Sequence, residues 1–145
     1  MNEIGLLGWI GIGGCFGLSA TGASIGMFAN GPAVIGAWKK CYLQNKPAPF
    51  IIIVFACTCL SNIIYGFILL NVLSVPTAMN DYMLLTLGLG SGACIGAVAI
   101  TQAMCAAAAA DAYVETGQGY GSYLMVVGIA ESISLLAVVF VIMFT

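Results

Sequence analysis

Residues 120–145 read YGSYLMVVGIAESISLLAVVFVIMFT, a stretch in which Glu131 is the single charged residue. A transmembrane helix needs roughly 20 apolar residues, so this stretch is long enough to cross a bilayer with Glu131 near its middle. Three further stretches carry no charge and are also long enough, at residues 4–38, 47–80 and 82–110. The sequence therefore predicts an all-α membrane protein with four transmembrane helices.

The composition of the whole chain supports this class. Of the 145 residues, 62% are hydrophobic and 6% are charged, whereas a soluble domain is about 25% charged. With three basic residues and no basic patch, the chain is not expected to bind nucleic acid. It has no histidine, no P-loop, no nucleotide-binding glycine motif and no catalytic triad, so we expect no catalysis by the chain on its own.

The predicted spans alternate in side-chain size along the chain. They run at about 4–38, 49–74, 82–112 and 120–144. The first and third are rich in glycine and alanine, and the second and fourth are bulky. This alternation predicts a single membrane domain built of two tandem helical hairpins in the same orientation, at about 4–75 and 81–145.

Glycines recur at short intervals in the first and third spans. They include Gly13, Gly17, Gly22, Gly88, Gly92 and Gly96. Helices in lipid associate through close packing, which small side chains allow. We therefore expect the small spans to form an inner layer and the bulky spans to lie outside. The alternative is generic packing of membrane helices, in which glycine is also common.

Loop charges predict the orientation in the membrane. All three lysines lie in the loop at 39–48, which places that loop and the loop at 113–120 in the cytoplasm. Both termini and the loop at 76–81, which begins with Pro76, then lie on the opposite side.

The remaining charged residues outside the spans are Glu3, Asp81, Asp111 and Glu115. We interpret Glu3 and Asp81 as solvated helix ends. The lysine loop and the loop flanked by Asp111 and Glu115 are either solvated ends or a docking site for a partner. The six cysteines mostly lie in apolar stretches of a chain without histidine. We expect them to be buried apolar residues rather than zinc ligands.

Glu131 is the first candidate functional residue. It lies roughly 15 Å into the fourth span, where a charge costs at least ~2.5 kcal/mol. No lysine or arginine lies in a predicted span, so the counter-charge is a proton or a metal cation. Gln102 and Glu131 are symmetric about the turn near residue 116, which predicts that they lie side by side.

A polar stripe marks the second span at about the same depth. It consists of Thr58, Ser61, Asn62 and Tyr65. Their i, i+3, i+4, i+7 spacing puts them on one helical face. Oxygen donors around a carboxylate suit a hard cation such as Na⁺, or a protonated, hydrogen-bonded glutamate.

At these residues the chain resembles a known family. Ile64-Tyr65-Gly66-Phe67 late in the second span, Gln102 in the third and Ala130-Glu131 in the fourth are similar to the proteolipid K or c subunit of rotary V/A-type ATPases. The resemblance covers nearly the whole chain. It implies a homo-oligomeric rotor ring in membrane lipid, turned by ATP hydrolysis in a soluble head. It also implies a stator a/I subunit that supplies an arginine, and a central stalk at the cytoplasmic loops.

The resemblance also implies an ion site. In sodium-translocating members the ligands would correspond to Glu131, Gln102, Ser61, Asn62 and the backbone carbonyl of Thr58, with Tyr65 donating to the glutamate. Serine and asparagine replace the family's threonine and glutamine at 61 and 62. The transported ion is therefore expected to be Na⁺ or H⁺.

The first hairpin has no acidic residue near Leu60, the position that repeats Glu131, so we expect one ion per chain. The competing interpretation is a four-helix channel or an ion-coupled exporter outside any rotary ATPase, in which Glu131 lines a path of its own.

Overall fold

The structure is a computed structural model that describes residues 4–75 and 79–145, and its regular structure over these residues is helical. In chain order the elements are α1 (Leu6–Leu43), a 3-10 helix (Phe50–Ile52), α2 (Ile53–Cys57), α3 (Leu60–Leu73), α4 (Asp81–Thr116) and α5 (Tyr120–Phe144). Glu3, predicted at a solvated end, and Pro76, predicted in a loop, lie outside the described residues.

Four helical segments in the described residues are long and apolar enough to cross a membrane. They are Leu6–Leu43, Phe50–Leu73, Asp81–Thr116 and Tyr120–Phe144. We call Phe50–Leu73, which combines the 3-10 helix with α2 and α3, the second span. The predictions of an all-α fold and of a multi-pass integral membrane protein are confirmed at this level.

The helices extend beyond the apolar stretches that predicted them. α1 continues past Trp38 to Leu43, and α4 continues to Thr116. The connections are therefore shorter than the predicted loops at 39–48 and 113–120. Charged residues near a helix end do not break the helix, and Lys40 in the last turn of α1 suits the negative end of the helix dipole. α4 stops where Gly117 adopts a left-handed φ of 67°.

The second span is interrupted, although the sequence predicts one helix there. α2 ends at Cys57 and α3 begins at Leu60. Between them, the amide of Thr58 bonds the Phe55 carbonyl three residues earlier, at 3.5 Å. The Thr58 hydroxyl donates to the same carbonyl at 2.9 Å. These i to i−3 bonds tighten the turn and replace the regular helical pattern.

α1 and α4 pack with their backbones in direct contact. A side chain at Gly22 would collide with the backbone of Gly96, and one at Gly92 would collide with the backbone of Cys15. Gly11 meets the backbone at Leu84 and Leu85 in the same way. Contacts advance together along both helices, so α1 and α4 run parallel. The expected close packing of the small spans is confirmed for these positions.

Two of the glycines in the predicted small-residue repeats do not take part in this contact. Gly13 and Gly17 have no other part of the described chain within 4 Å of an added Cβ, and their place in an inner layer stays a prediction. The residues of α1 that face α4 are spaced at Gly11, Cys15, Gly22 and Gly26, which follows the helical period of 3.6. Gly13 and Gly17 are on the opposite, open face.

The second span and α5 cover α1 and α4 through apolar clusters at two levels. One cluster joins Leu69 and Leu73 to Val138 and Val141, and the other joins Phe55 to Val127. The polar residues of the candidate site lie between these levels, beside a thin cluster of Ala23, Cys59, Ala99 and Ala103.

The cysteines differ in exposure. Cys15, Cys41 and Cys59 are buried, as expected. Cys57, Cys94 and Cys105 are exposed, so the expectation was wrong for these three. Their helix faces point away from the neighbouring helices, and an apolar stretch by itself does not tell which face is covered.

Candidate functional site: a glutamate and a buried amide network

Glu131 lies near the middle of α5, half-buried, roughly 16 Å from the start of that helix at Tyr120. The hydroxyl of Tyr65 on α3 donates to Glu131 Oε1 at 2.9 Å. No lysine or arginine lies on α3 or α5. The carboxyl group therefore has a neutral donor beside it, and its charge is balanced only by a proton or a cation.

A second polar group lies one helical turn away and is completely buried. Asn62 Nδ2 donates to Gln102 Oε1 at 2.6 Å. The hydroxyl of Ser134 donates to Asn62 Oδ1 at 2.6 Å. All three residues are 0% exposed. These side chains connect α3, α4 and α5 at one level of the bundle. Each hydrogen bond is stronger here than at a surface, because no water competes for the bonding groups.

The two polar groups are neighbours through helix geometry. Asn62 and Tyr65 are three residues apart on α3, and Glu131 and Ser134 are three residues apart on α5. Residues at this spacing share a helix face. The two hydrogen bonds, Tyr65 to Glu131 and Ser134 to Asn62, thus join the same two faces.

The hydroxyl groups of the predicted stripe turn back onto their own helix. Ser61 Oγ donates to the Thr58 carbonyl at 2.9 Å, and Thr58 Oγ1 donates to the Phe55 carbonyl. Both residues are half-buried. Of the six sequence-predicted site residues, the structure thus brings Tyr65 to Glu131 and Asn62 to Gln102. Thr58 and Ser61 contact each other, and the assignment of all six as ion ligands stays a prediction.

Two buried side-chain atoms have no hydrogen-bond partner in the described part of the chain. They are Gln102 Nε2 and Asn30 Oδ1, both fully buried. A buried polar atom without a partner is rare and calls for an explanation, such as a bound ion or water. Gln102 therefore has one amide end engaged by Asn62 and the other end free for a ligand.

Sequence reasoning missed Ser134 and Asn30. Ser134 follows Glu131 by three residues on the same helix face, a spacing that could have identified it. Asn30 is the one amide side chain between residues 4 and 38. Its Nδ2 donates at 2.5 Å to the Phe55 carbonyl, which lies at the interruption of the second span and also accepts from Thr58. A lone amide side chain in a small, apolar span was the available signal.

Charged residues at the helix ends form specific contacts. Lys40 Nζ lies 2.6 Å from Asp111 Oδ1 and 3.1 Å from Glu115 Oε1, which joins the C-terminal ends of α1 and α4. At the other end, the Gly5 amide donates to Asp81 Oδ1 at 3.0 Å. We expected Asp81 to be a solvated helix end, and the structure instead shows it bound to the backbone of another helix end. Its carboxylate binds at the N-terminus of α1, where the helix dipole favours negative charge.

No protein-family model matches the chain, and no curated protein matches its sequence. The site itself is therefore the basis for inferring a function.

Proposed function

We propose that the chain is the rotor-ring subunit, the K or c proteolipid, of a V/A-type ATPase. In this proposal its spans are two tandem hairpins, and identical copies assemble into a closed ring. Glu131 carries one Na⁺ or H⁺ per chain across the membrane as the ring rotates. The chain is a non-catalytic part of the complex, and ATP hydrolysis occurs in other subunits.

The observation that carries the proposal is the environment of Glu131. A half-buried carboxyl group in the middle of a membrane-spanning helix has a tyrosine hydroxyl as its neighbour and no basic residue on α3 or α5. Such a group is stable when it binds a proton or a cation. The same group becomes a carrier when a charged residue of another subunit displaces the bound ion. This chain has lysines only near one membrane edge, which agrees with an arginine supplied by a stator.

The open glycines support assembly with further copies. Gly13 and Gly17 on α1 and Gly90 on α4 face empty space next to the chain. A small, unfilled helix face in lipid gains packing when another helix covers it closely. A ring gives every chain such a neighbour on both sides, whereas an isolated bundle leaves these faces to lipid. In this ring α1 and α4 form the inner layer, and the bulky spans lie outside.

The residues around Glu131 also bear on the transported ion. An amide oxygen and a carboxylate are suitable Na⁺ ligands, and Gln102 has one amide end free. Asn62 uses both ends of its amide for Gln102 and Ser134, so Asn62 supports the ligand Gln102. The Tyr65 hydroxyl serves either ion, because it stabilises the carboxylate between binding events.

The proposal includes an orientation and partners. The ends of α1 and α4 near Lys40 and Glu115 face the cytoplasm and meet the central stalk, and both termini face the opposite side. The stator a/I subunit faces Glu131 from the lipid side of the ring. The alternative of a four-helix channel or exporter needs a path within one chain or dimer.

The test is carbodiimide labelling of the purified protein in mild detergent, with mass spectrometry to locate the label. The reagent attacks a protonated carboxyl group in an apolar site, so Glu131 should be labelled. Glu131→Gln should abolish the label, and Glu115→Gln, which changes an exposed carboxylate, should leave it unchanged. Titration with Na⁺ at fixed pH then identifies the ion: protection indicates a sodium ring, and unaffected labelling at every pH indicates a proton ring.

Native mass spectrometry of the same sample tests the assembly. A large closed ring with one reactive glutamate per chain is expected. A monomer or dimer, or a wild-type chain that is not labelled at Glu131, would contradict the rotor proposal and favour the channel or exporter.

A further inference from the structure

The amide network beside Glu131 ends differently on its two sides. It begins at the hydroxyl of Ser134, passes through Asn62 and reaches Gln102, with two bonds of 2.6 Å. It ends at Gln102 Nε2, which has no partner in the described residues. We call this series, Ser134 to Asn62 to Gln102, the relay. Each member is 0% exposed, so no solvent is available to satisfy an atom that the relay leaves out.

The relay can run in either direction while its heavy atoms occupy the same set of positions. The oxygen and nitrogen ends of an amide are nearly the same size, so a half-turn of the Asn62 and Gln102 amides exchanges donors and acceptors in place. Gln102 Nε2 then donates to Asn62 Oδ1, and Asn62 Nδ2 donates to Ser134 Oγ. The Ser134 hydroxyl proton turns to a carbonyl of its own helix, as the hydroxyl of Ser132 does towards Gly128.

The direction decides which atom Gln102 offers to a ligand. In the direction seen in the structure, the free end is an N–H donor, which suits the oxygen of a carboxyl group. In the reversed direction the free end is Oε1, an acceptor that suits a cation. Because Asn62 and Ser134 share helix faces with Tyr65 and Glu131, the relay lies within about one helical turn of the carboxyl group.

We propose that the direction of the relay depends on which ion is bound at Glu131. Ser134 donates to Asn62 in one direction and accepts from Asn62 in the other, and thereby influences the preference between Na⁺ and H⁺. This inference rests on the proposed function and adds a residue outside the ligand set that the family resemblance implies. Ser134 is a positioning residue, because it acts on the ion through Asn62 and Gln102.

The proposal predicts an asymmetric effect of removing the hydroxyl. With alanine at position 134, the direction seen in the structure loses a donor to Asn62 Oδ1. The reversed direction loses an acceptor for Asn62 Nδ2. A buried N–H without a partner is tolerated less well than a buried carbonyl, so the substitution penalises the reversed, cation-binding direction more. Na⁺ binding should weaken while proton binding is nearly unaffected.

The experiment compares Ser134→Ala with Ser134→Thr, which keeps a hydroxyl, and with Ser132→Ala, which removes an exposed hydroxyl from the same helix. Two quantities are measured by carbodiimide labelling of Glu131: the Na⁺ concentration that gives half protection at fixed pH, and the pH of half-maximal labelling without Na⁺. For Ser134→Ala we expect the Na⁺ concentration to rise by about threefold, because both directions lose one hydrogen bond and only the extra cost of the unpartnered N–H over the unpartnered carbonyl acts on Na⁺ binding. The pH of half-maximal labelling should stay the same. Ser134→Thr should restore the wild-type Na⁺ value, and Ser132→Ala should match wild type throughout.

Three results would overturn the inference. The first is a Ser134→Ala protein in which both quantities shift together, since that indicates a packing role. The second is an unchanged Na⁺ concentration, and the third is a wild-type protein that Na⁺ and Li⁺ both fail to protect. In that third case labelling of Glu131 and the ring would still support the proposed rotor, so the two proposals fail separately. If Ser134→Ala does not fold, Ser134→Cys gives the same comparison with a similar volume and a much weaker hydrogen-bonding group.

Discussion

The contact between α1 and α4 and the contact between α3 and α5 are built in opposite ways. The first brings glycine backbones together at its middle, as at Gly22 and Gly96, and its charged contacts lie at the helix ends. The second is bridged at its middle by polar side chains, Asn62 to Ser134 and Tyr65 to Glu131. At the middle of the bundle, therefore, one pair of helices is held by shape and the other pair carries the polar site.

The difference shows how a chain with few polar groups can form a defined site. Close packing of glycine backbones fixes the position of α4, and with it the position of Gln102, without polar side chains at the glycine positions. Polar side chains can then be concentrated near Glu131, where they bond one another across the helices. The experiments below test whether the two contacts are as different in energy and in function as they are in construction.

The largest effect is expected at the glycine contact. Gly22→Val adds a branched side chain where even a Cβ would collide with the Gly96 backbone. Two backbones cannot yield as a flexible side chain can, so we expect a loss of about 3 kcal/mol in the free energy of unfolding. Unfolding by sodium dodecyl sulfate in mixed micelles, followed by tryptophan fluorescence, measures the change.

Gly17→Val on the same helix is the matched control, because a Cβ at Gly17 meets nothing within 4 Å. The chain should unfold as the wild type does. If copies cover this face in a ring, native mass spectrometry should show loss of the ring with the fold intact. Equal destabilisation by the two substitutions would show that α1 and α4 do not pack in the register described.

The next largest effect is expected at Asn62. Asn62→Leu keeps the volume similar but leaves Gln102 Oε1 and the Ser134 hydroxyl without their partner. Buried polar groups that lose a partner cost about 2 kcal/mol of unfolding free energy. Asn71→Leu on the same helix is the control, since Asn71 is exposed and donates only to the Phe67 carbonyl. The same detergent titration should separate the two variants, and a neutral Asn62→Leu would mean that the amide network does not form.

A smaller effect is expected for Tyr65→Phe. The change removes the hydroxyl that donates to Glu131 at 2.9 Å and keeps the ring. One hydrogen bond in a half-buried site contributes about 1 kcal/mol to the unfolding free energy. Tyr82→Phe, at a residue that is 73% exposed, should have no effect. Destabilisation by Tyr65→Phe should also vanish in a Glu131→Gln background if the two groups act as a pair, which a double-mutant cycle measures.

Much of the fold and part of the site could be predicted from the sequence. The four spans follow from uninterrupted apolar stretches. The polar stripe and the depth of Glu131 predict a polar site between the two helices, and the resemblance to the proteolipid family implies the pairing of Tyr65 with Glu131. The helix ends could not be placed from hydropathy, because α1 continues through Lys39 and Lys40. Backbone hydrogen bonding, not side-chain polarity, decides where a helix stops.

The details of the site depended on side-chain reach. Thr58 and Ser61 share a helix face with Asn62 and Tyr65, and the periodicity treats all four alike. Short hydroxyl side chains bond the carbonyl three residues back in their own helix, whereas the longer amide and phenol reach another helix. Asn30 bonds the Phe55 carbonyl beside the interruption at Thr58 and Cys59. This interruption could not be predicted, because the sequence has neither proline nor glycine there.

The smallest effect is expected at the membrane edge. The Lys40 to Asp111 ion pair, at 2.6 Å, is as short as the bond between Asn62 and Gln102. Its side chains are 45% and 48% exposed, so water competes for both charges, and an exposed ion pair contributes little to stability. Lys40→Gln should therefore unfold within experimental scatter of the control Lys39→Gln, at 0.1 M and at 1 M salt alike. A loss as large as that of Asn62→Leu would show that distance rather than burial sets the strength of polar contacts here. The buried polar contacts in the middle of the bundle and the exposed ion pair at its end would then contribute equally to stability.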